Sequence, residues 1–274
     1  MFLSMLYGSW LVIWAFVPAD FKTRLMTQEI MEAVYSVLLL FLFAKFVQKR
    51  DFKSTGIVKK GALIETLIGF VLGFVVSGGA ILGMILLGGY KVLNVNTSAN
   101  LVYPLILFFF AAAVEEVIFR LFIFQTCEKR WGTVKALTIT SVLFGLIHMI
   151  NTVKSASVEQ QLTGCIFLIF EAGFLLNAVF LINRRVWLPL GMHWAWNFFE
   201  GPIFGTIVSG QNFGASFLIA QVSGSFLVNG GPFGPEGSVP GLIVGIGCGA
   251  LATWFAVTRG AWRERSDTTV ERNE

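Results

Sequence analysis

Eight long apolar runs, each bounded by polar or charged residues, set the first constraint on this chain. They fall at about residues 2–17, 29–47, 62–88, 101–126, 136–150, 159–182, 188–209 and 240–258. A run of about 20 apolar residues matches the hydrocarbon core of a bilayer. The sequence therefore predicts an all-α, polytopic transmembrane helix bundle of about eight spans. Composition excludes the alternatives. Of the 274 residues, 13% are charged and 55% hydrophobic, where an ordinary soluble domain carries about 25% charged residues. Disorder, a nucleic-acid-binding module and an ordinary soluble enzyme are all ruled out on that ground. The first run lacks a basic leader and a small-residue cleavage site, so it reads as a retained span and not a signal peptide.

Basic residues then orient the spans. With the N-terminus inside, the inner loops and tail hold Lys45, Lys49, Arg50, Lys53, Lys59, Lys60, Lys129, Arg130, Lys135, Arg184, Arg185, Arg259, Arg263, Arg265 and Arg272, which is 15 of the 20 Lys and Arg. The outer loops hold only Lys22, Arg24, Lys91 and Lys154. Positive residues accumulate on the cytoplasmic side, so both ends are expected in the cytoplasm. Four segments follow: N-terminal helices over 1–100, a core over 101–205, an outer loop and last helix over 206–258, and a tail over 259–274.

Within span three, Gly69-x-x-x-Gly73 and Gly79-x-x-x-Gly83 have the spacing that lets helices approach closely, and packing is their expected role. The stretch 210–240, rich in Gly, Ser and Pro, reads as an outer loop. Cys127, Cys165 and Cys248 are scattered, without metal-ligand or disulfide spacing.

The twentieth basic residue, Arg120, falls inside a span, and it has company. An ionisable side chain at mid-membrane costs about 2.5–3.5 kcal/mol on insertion scales, so each one there needs a reason. Span four contains Glu115, Glu116 and Arg120. Glu116 and Arg120 are four apart and share a helix face, whereas Glu115 is turned about 100° away and has no local partner. The two histidines of the chain, His148 and His193, both lie in apolar runs, and His193 is four residues before Asn197. Glu171 and Glu200 also lie in or near spans. Glu200 is expected near the outer interface and Glu171 has no evident partner, so neither is assigned a role. Tryptophans beside His193 fit a substrate groove or packing equally well.

Glu115-Glu116-x-x-x-Arg120, Phe144-x-x-x-His148 and His193-x-x-x-Asn197 resemble the three signature motifs of the CPBP family. These are the CAAX proteases and bacteriocin-processing enzymes, also called the Abi family. The resemblance covers about residues 100–200. It implies a glutamate-dependent intramembrane endopeptidase of the type II CAAX prenyl endopeptidase kind, needing no cofactor and no metal. By that resemblance Glu115 is the general base that activates water and His148 holds and polarises the water. His193 and Asn197 donate hydrogen bonds to the oxyanion, each such donor being worth about 3–4 kcal/mol. Glu116 and Arg120, with Phe144, support the site. Expected partners are a membrane-anchored protein or peptide substrate and the lipid bilayer, with no nucleic acid. The expected location is a prokaryotic plasma membrane, with the site open to the cytoplasm.

A crude depth reckoning leaves a mismatch. Counted from the loop at 127–135, Glu115 and His148 lie about 18–20 Å deep, whereas His193 lies about 9 Å past the start of its span. Spans four and five projecting beyond the bilayer, or an earlier start to span seven, would reconcile them. Three other readings compete: a His2Glu zinc protease, although HExxH is missing; a proton- or ion-coupled transporter, although paired repeats are missing; and a non-catalytic immunity protein that keeps the motifs.

Overall fold

The computed structural model describes residues 20–264. The expected span at 2–17, with Arg265 and Arg272, lies outside the described residues. Helix α1, Phe21–Leu42, begins where Asp20 caps it by accepting from the backbone N–H groups of Lys22 and Thr23 at 2.9 and 3.1 Å. It starts eight residues before the expected span at 29 because the polar residues Lys22, Thr23, Arg24, Thr27 and Gln28 are helical. A wide π turn, Phe43–Val47, extends it. Helix α2, Ala62–Leu86, matches its apolar run.

Helix α3, Val102–Glu116, passes through a π turn, Val117–Phe124, into α4, Gln125–His148. The expected loop at 127–135 is helical on both sides of Gly132, whose φ of 81° and ψ of 170° break the run. Helix α5, Val158–Leu168, starts from a Ser157–Gln160 capping box and continues through the π turn Ile169–Gly173 into α6, Phe174–Asn183. Helix α7, Trp187–Phe198, ends in the π turn Phe199–Ile203. Helix α8, Val239–Thr258, is capped by Ser238.

Among the described residues four helical stretches are long and apolar enough to cross a membrane: Phe21–Val47, Ala62–Leu86, Val158–Asn183 and Val239–Thr258. Their outward faces keep Leu63, Ile64, Leu67, Ile68 and Val71 exposed, as lipid-facing surface requires and water would not favour. The runs at 101–126 and 136–150 are helical too, as is 188–209 as far as Ile203, and they hold the charged and polar motif residues.

The bundle is not wholly helical. Strands β1, Tyr90–Val95, and β2, Leu218–Val222, pair antiparallel, with an irregularity between Val92 and Asn94. Both are short, lie in segments expected to be loops, and carry no burial alternation, so periodicity gave no signal for them.

The most extensive helix contact is α2 on α7. Glycine makes it possible. A Cβ on Gly69 would sit 2.2 Å from the Leu188 carbonyl, one on Gly73 2.3 Å from Met192 O, and one on Gly191 2.0 Å from Thr66 O. Gly69-x-x-x-Gly73 thus packs α7 backbone to backbone, fixing the helix that carries His193 and Asn197. Gly79 and Gly83 face Val244 and Pro240 on α8.

Candidate active site

Glu115 and Glu116 end α3, immediately before the π turn. Interrupting an α-helix with a wide turn changes which faces successive residues present, and such turns recur at functional sites. Glu116 and Arg120 point into the core, both 0% exposed, and Arg120 donates to Glu116 Oε1 at 3.0 Å. The same oxygen accepts from Nδ1 of His193 at 2.9 Å. One buried carboxylate therefore ties α3 to α7 and fixes the imidazole. The Arg120 guanidinium lies 5.0 Å from the Phe144 ring centroid, a cation–π contact. Phe144 in turn rests on the His148 ring at 4.5 Å.

His148 closes α4. Its Nδ1 bonds the Phe144 carbonyl at 2.7 Å. A carbonyl only accepts, so Nδ1 carries the proton and Nε2 faces outward as an acceptor in the neutral ring. Glu115 meets both histidines from across the cavity: its Oε2 lies 3.7 Å from Nε2 of His148 and 3.8 Å from Nε2 of His193. Those separations exceed a direct hydrogen bond and are the kind a water bridges. Among the described residues Oε2 of Glu115 has no hydrogen-bond partner, and neither does Oδ1 of Asn197.

Glu115, His148, His193 and Asn197 line a single cavity of about 710 Å³. Glu116, Arg120 and Phe144 lie behind it, buried. The seven motif residues are thus split into four that reach the cavity and three that hold them.

Contacts at the helix ends bear on the depth mismatch. Gln125 donates to the Thr55 carbonyl at 2.6 Å, and Glu128 pairs with Arg184, three residues before α7. Residues 125–128 are therefore tied to the segments that lead into α7. From Gln125 to Glu115 is about 15 Å along the helix, and from Trp187, where α7 begins, to His193 about 9 Å, so the mismatch narrows without closing.

Several wall residues escaped the sequence reading. Glu29 and Glu32, on α1, line the cavity, and their only sequence signal was a pair of carboxylates at the edge of an apolar run. Asn151, just past His148, and Ser209 also line it. Asn151 donates to the Ser209 carbonyl at 2.9 Å, and Ser209 donates from its backbone N–H and its hydroxyl to Oε2 of Glu236 at 2.6 and 2.7 Å. Glu236 is a buried carboxyl within the stretch read as an outer loop. Burial pushes it above the usual carboxylate range, opposed by the Ser209 bonds and the nearby His148 and His193.

Glu200 is 0% exposed, buried within the bundle, and Glu171 is likewise buried, packed against Gly241 and Gly245 of α8. None of their carboxyl oxygens has a hydrogen-bond partner among the described residues. Trp194 donates to the Leu105 carbonyl and Trp196 is buried, so the two pack and do not line the cavity. Among the described residues no group of three or more His, Cys, Asp or Glu is arranged to hold a metal ion.

Residues 97–199 match the family model described as Rce1-like, type II CAAX prenyl endopeptidase. Over this segment the chain is similar to the CAAX protease family. All seven motif residues fall inside the matched range. The family is one of membrane peptide hydrolases that process membrane-associated proteins, and the long apolar helices agree with a membrane location. No curated protein and no solved structure matches the chain.

Proposed function

We propose that this chain is a metal-independent, glutamate-dependent intramembrane endopeptidase. It would cleave a membrane-anchored protein or peptide with a water activated at Glu115. The observation that carries this reading is the convergence of Glu115, His148, His193 and Asn197 on one cavity, with an unpartnered Glu115 oxygen 3.7–3.8 Å from both imidazoles.

The chemistry follows from the atoms. A water in that gap donates one proton to the Glu115 carboxylate and the other to Nε2 of His148, leaving a lone pair for the scissile carbonyl carbon. Glu115 takes the proton as the C–O bond forms and passes it to the leaving amine as the C–N bond breaks. The oxyanion is met by the Asn197 amide N–H and by Nε2–H of His193. Because Nδ1–H of His193 already donates to Glu116, donation from Nε2 requires the imidazolium, whose charge Glu116 and Glu115 balance. Arg120 offsets the remaining negative charge. No covalent intermediate is needed, since water is the nucleophile.

The basic-residue distribution supports about eight spans with both ends inside, and this reading places the protein in a prokaryotic plasma membrane with its site open to the cytoplasm. The purified protein is expected to cleave membrane-anchored peptides at a rate that Glu115→Gln and His148→Ala each lower by about 10²–10⁴-fold, the usual weight of a general acid–base group. Chelators should leave the rate unchanged. Wild-type rates in both variants would overturn the assignment, and inhibition by chelators would favour the zinc reading.

A further inference from the structure

A second cavity, of about 310 Å³, lies at the basic end of the bundle, away from the catalytic one. Four elements converge on it. The chain just after α1 contributes Gln48 and Arg50, the first turn of α4 contributes Glu128 and Lys129, the α6–α7 connection contributes Arg184, and the segment after α8 contributes Arg263. Four cationic side chains face two carboxylates, Glu128 and Glu264. Glu128 is already committed. Arg184 grips both its oxygens and the Thr133 hydroxyl donates to it at 2.6 Å.

Arg50 is the anomaly. Its guanidinium is half-buried, yet its partners among the described residues are neutral: NH1 donates to the Ser54 carbonyl at 3.3 Å and NH2 to the Gln125 amide oxygen at 2.9 Å. Its Nε–H is buried without a partner among the described residues, as is the side-chain oxygen of Gln48 beside it. Burial accordingly pulls the Arg50 guanidinium below its ordinary range. A cation withdrawn from water is stable only when paired, and the planar Arg fork fits phosphate oxygens.

We propose that this cavity binds a phosphate group at the membrane surface, held by Arg50 and Lys129 with Gln48 and Arg263 at its edge. The group is either an anionic lipid headgroup or free phosphate. Both present the same tetrahedral oxygens to the same donors. The location favours the headgroup, because the cavity sits where apolar helices end, and basic pockets between helix ends are where anionic headgroups bind. An occupant would touch all four elements at once. The site is independent of the peptidase reading, since it uses none of the catalytic residues.

The test uses the full-length protein in detergent, with thermal unfolding followed while phosphatidylglycerol, phosphatidylcholine or inorganic phosphate is added. Phosphatidylglycerol is expected to raise the unfolding temperature by several degrees and phosphatidylcholine by little. The double variant Arg50→Gln/Lys129→Gln should lose most of that shift. Arg50→Lys, which keeps the charge, should retain part of it. Lys129→Gln alone removes an exposed side chain and secures a folded comparison, with a reduced shift. A shift with phosphatidylglycerol but not with inorganic phosphate identifies the headgroup, and an equal shift with both identifies a free-anion site. Equal responses to the two lipids, or a full phosphatidylglycerol shift in the double variant, would overturn the proposal.

Discussion

Glu116 is the residue on which the site turns, because one of its oxygens holds Arg120 and His193 at once. Removing one member of a buried ion pair leaves an uncompensated charge and costs about 3–5 kcal/mol, whereas replacing both can be nearly neutral. Arg120→Met should therefore destabilise the protein strongly, and Arg120→Met combined with Glu116→Gln should recover most of the lost unfolding temperature. Activity should not follow. Without a carboxylate on Nδ1, His193 loses the partner that orients it, and peptide cleavage should stay at least about 100-fold down. Recovery of cleavage along with stability would show that the pair is only a structural plug. These residues were legible in sequence because charge inside an apolar run is costly and so conspicuous. Glu236 was not, since it lies in a Gly- and Pro-rich stretch whose burial depends on how that stretch folds back over the bundle. Its bond to Ser209, and Ser209's bond to Asn151, join positions far apart in the chain, which no local pattern encodes.

At the scale of elements, the site depends on how closely α7 approaches α2. The Gly-x-x-x-Gly spacing announced a close contact, but the partner helix could not be read from it, because small residues specify proximity and not identity. Helix existence was legible throughout the described runs, whereas the break at Gly132, the π turns and the β1–β2 pair were not. Each of these is set by neighbours and not by the apolar period. Gly191→Ala is the direct test, since its Cβ would lie 2.0 Å from the Thr66 carbonyl. A backbone atom cannot swing aside, so α7 must shift, carrying His193 and Asn197 with it. A displacement of about 1 Å at reacting groups can cost about 100-fold in rate, and cleavage should fall at least about tenfold with a lowered unfolding temperature. Gly79→Ala is the control. Its Cβ would meet only the Val244 side chain, at 3.4 Å, and both activity and stability should stay close to wild type. Equal effects of the two substitutions would mean that the α2–α7 approach does not set the catalytic geometry.

Across the whole molecule, charge is partitioned between two cavities of opposite sign. The basic-end cavity is rich in Arg and Lys. Among the described residues the catalytic cavity is lined by three carboxyl groups, Glu29, Glu32 and Glu115, and two imidazoles, His148 and His193, with no Lys or Arg, and its remaining wall is mostly apolar. Fields in a cleft of one sign, walled by low-dielectric material, are strengthened and select the charge of what enters. A substrate segment carrying a cationic side chain is therefore favoured over one carrying an anionic side chain, independently of which bond is cut. Matched membrane-anchored peptides differing only by Lys against Glu near the scissile bond should show kcat/KM higher for Lys by about tenfold, a difference of about 1.4 kcal/mol. Glu29 sits on α1 and interacts electrostatically with Glu32 and Glu115, so Glu29→Gln should narrow that ratio several-fold under alkaline assay conditions, where the wall carboxyls are ionised. Added salt should narrow it further, because screening acts on the same interaction. An unchanged ratio in Glu29→Gln would remove α1 from specificity, and faster cleavage of the Glu peptide would contradict the sign of the cavity itself.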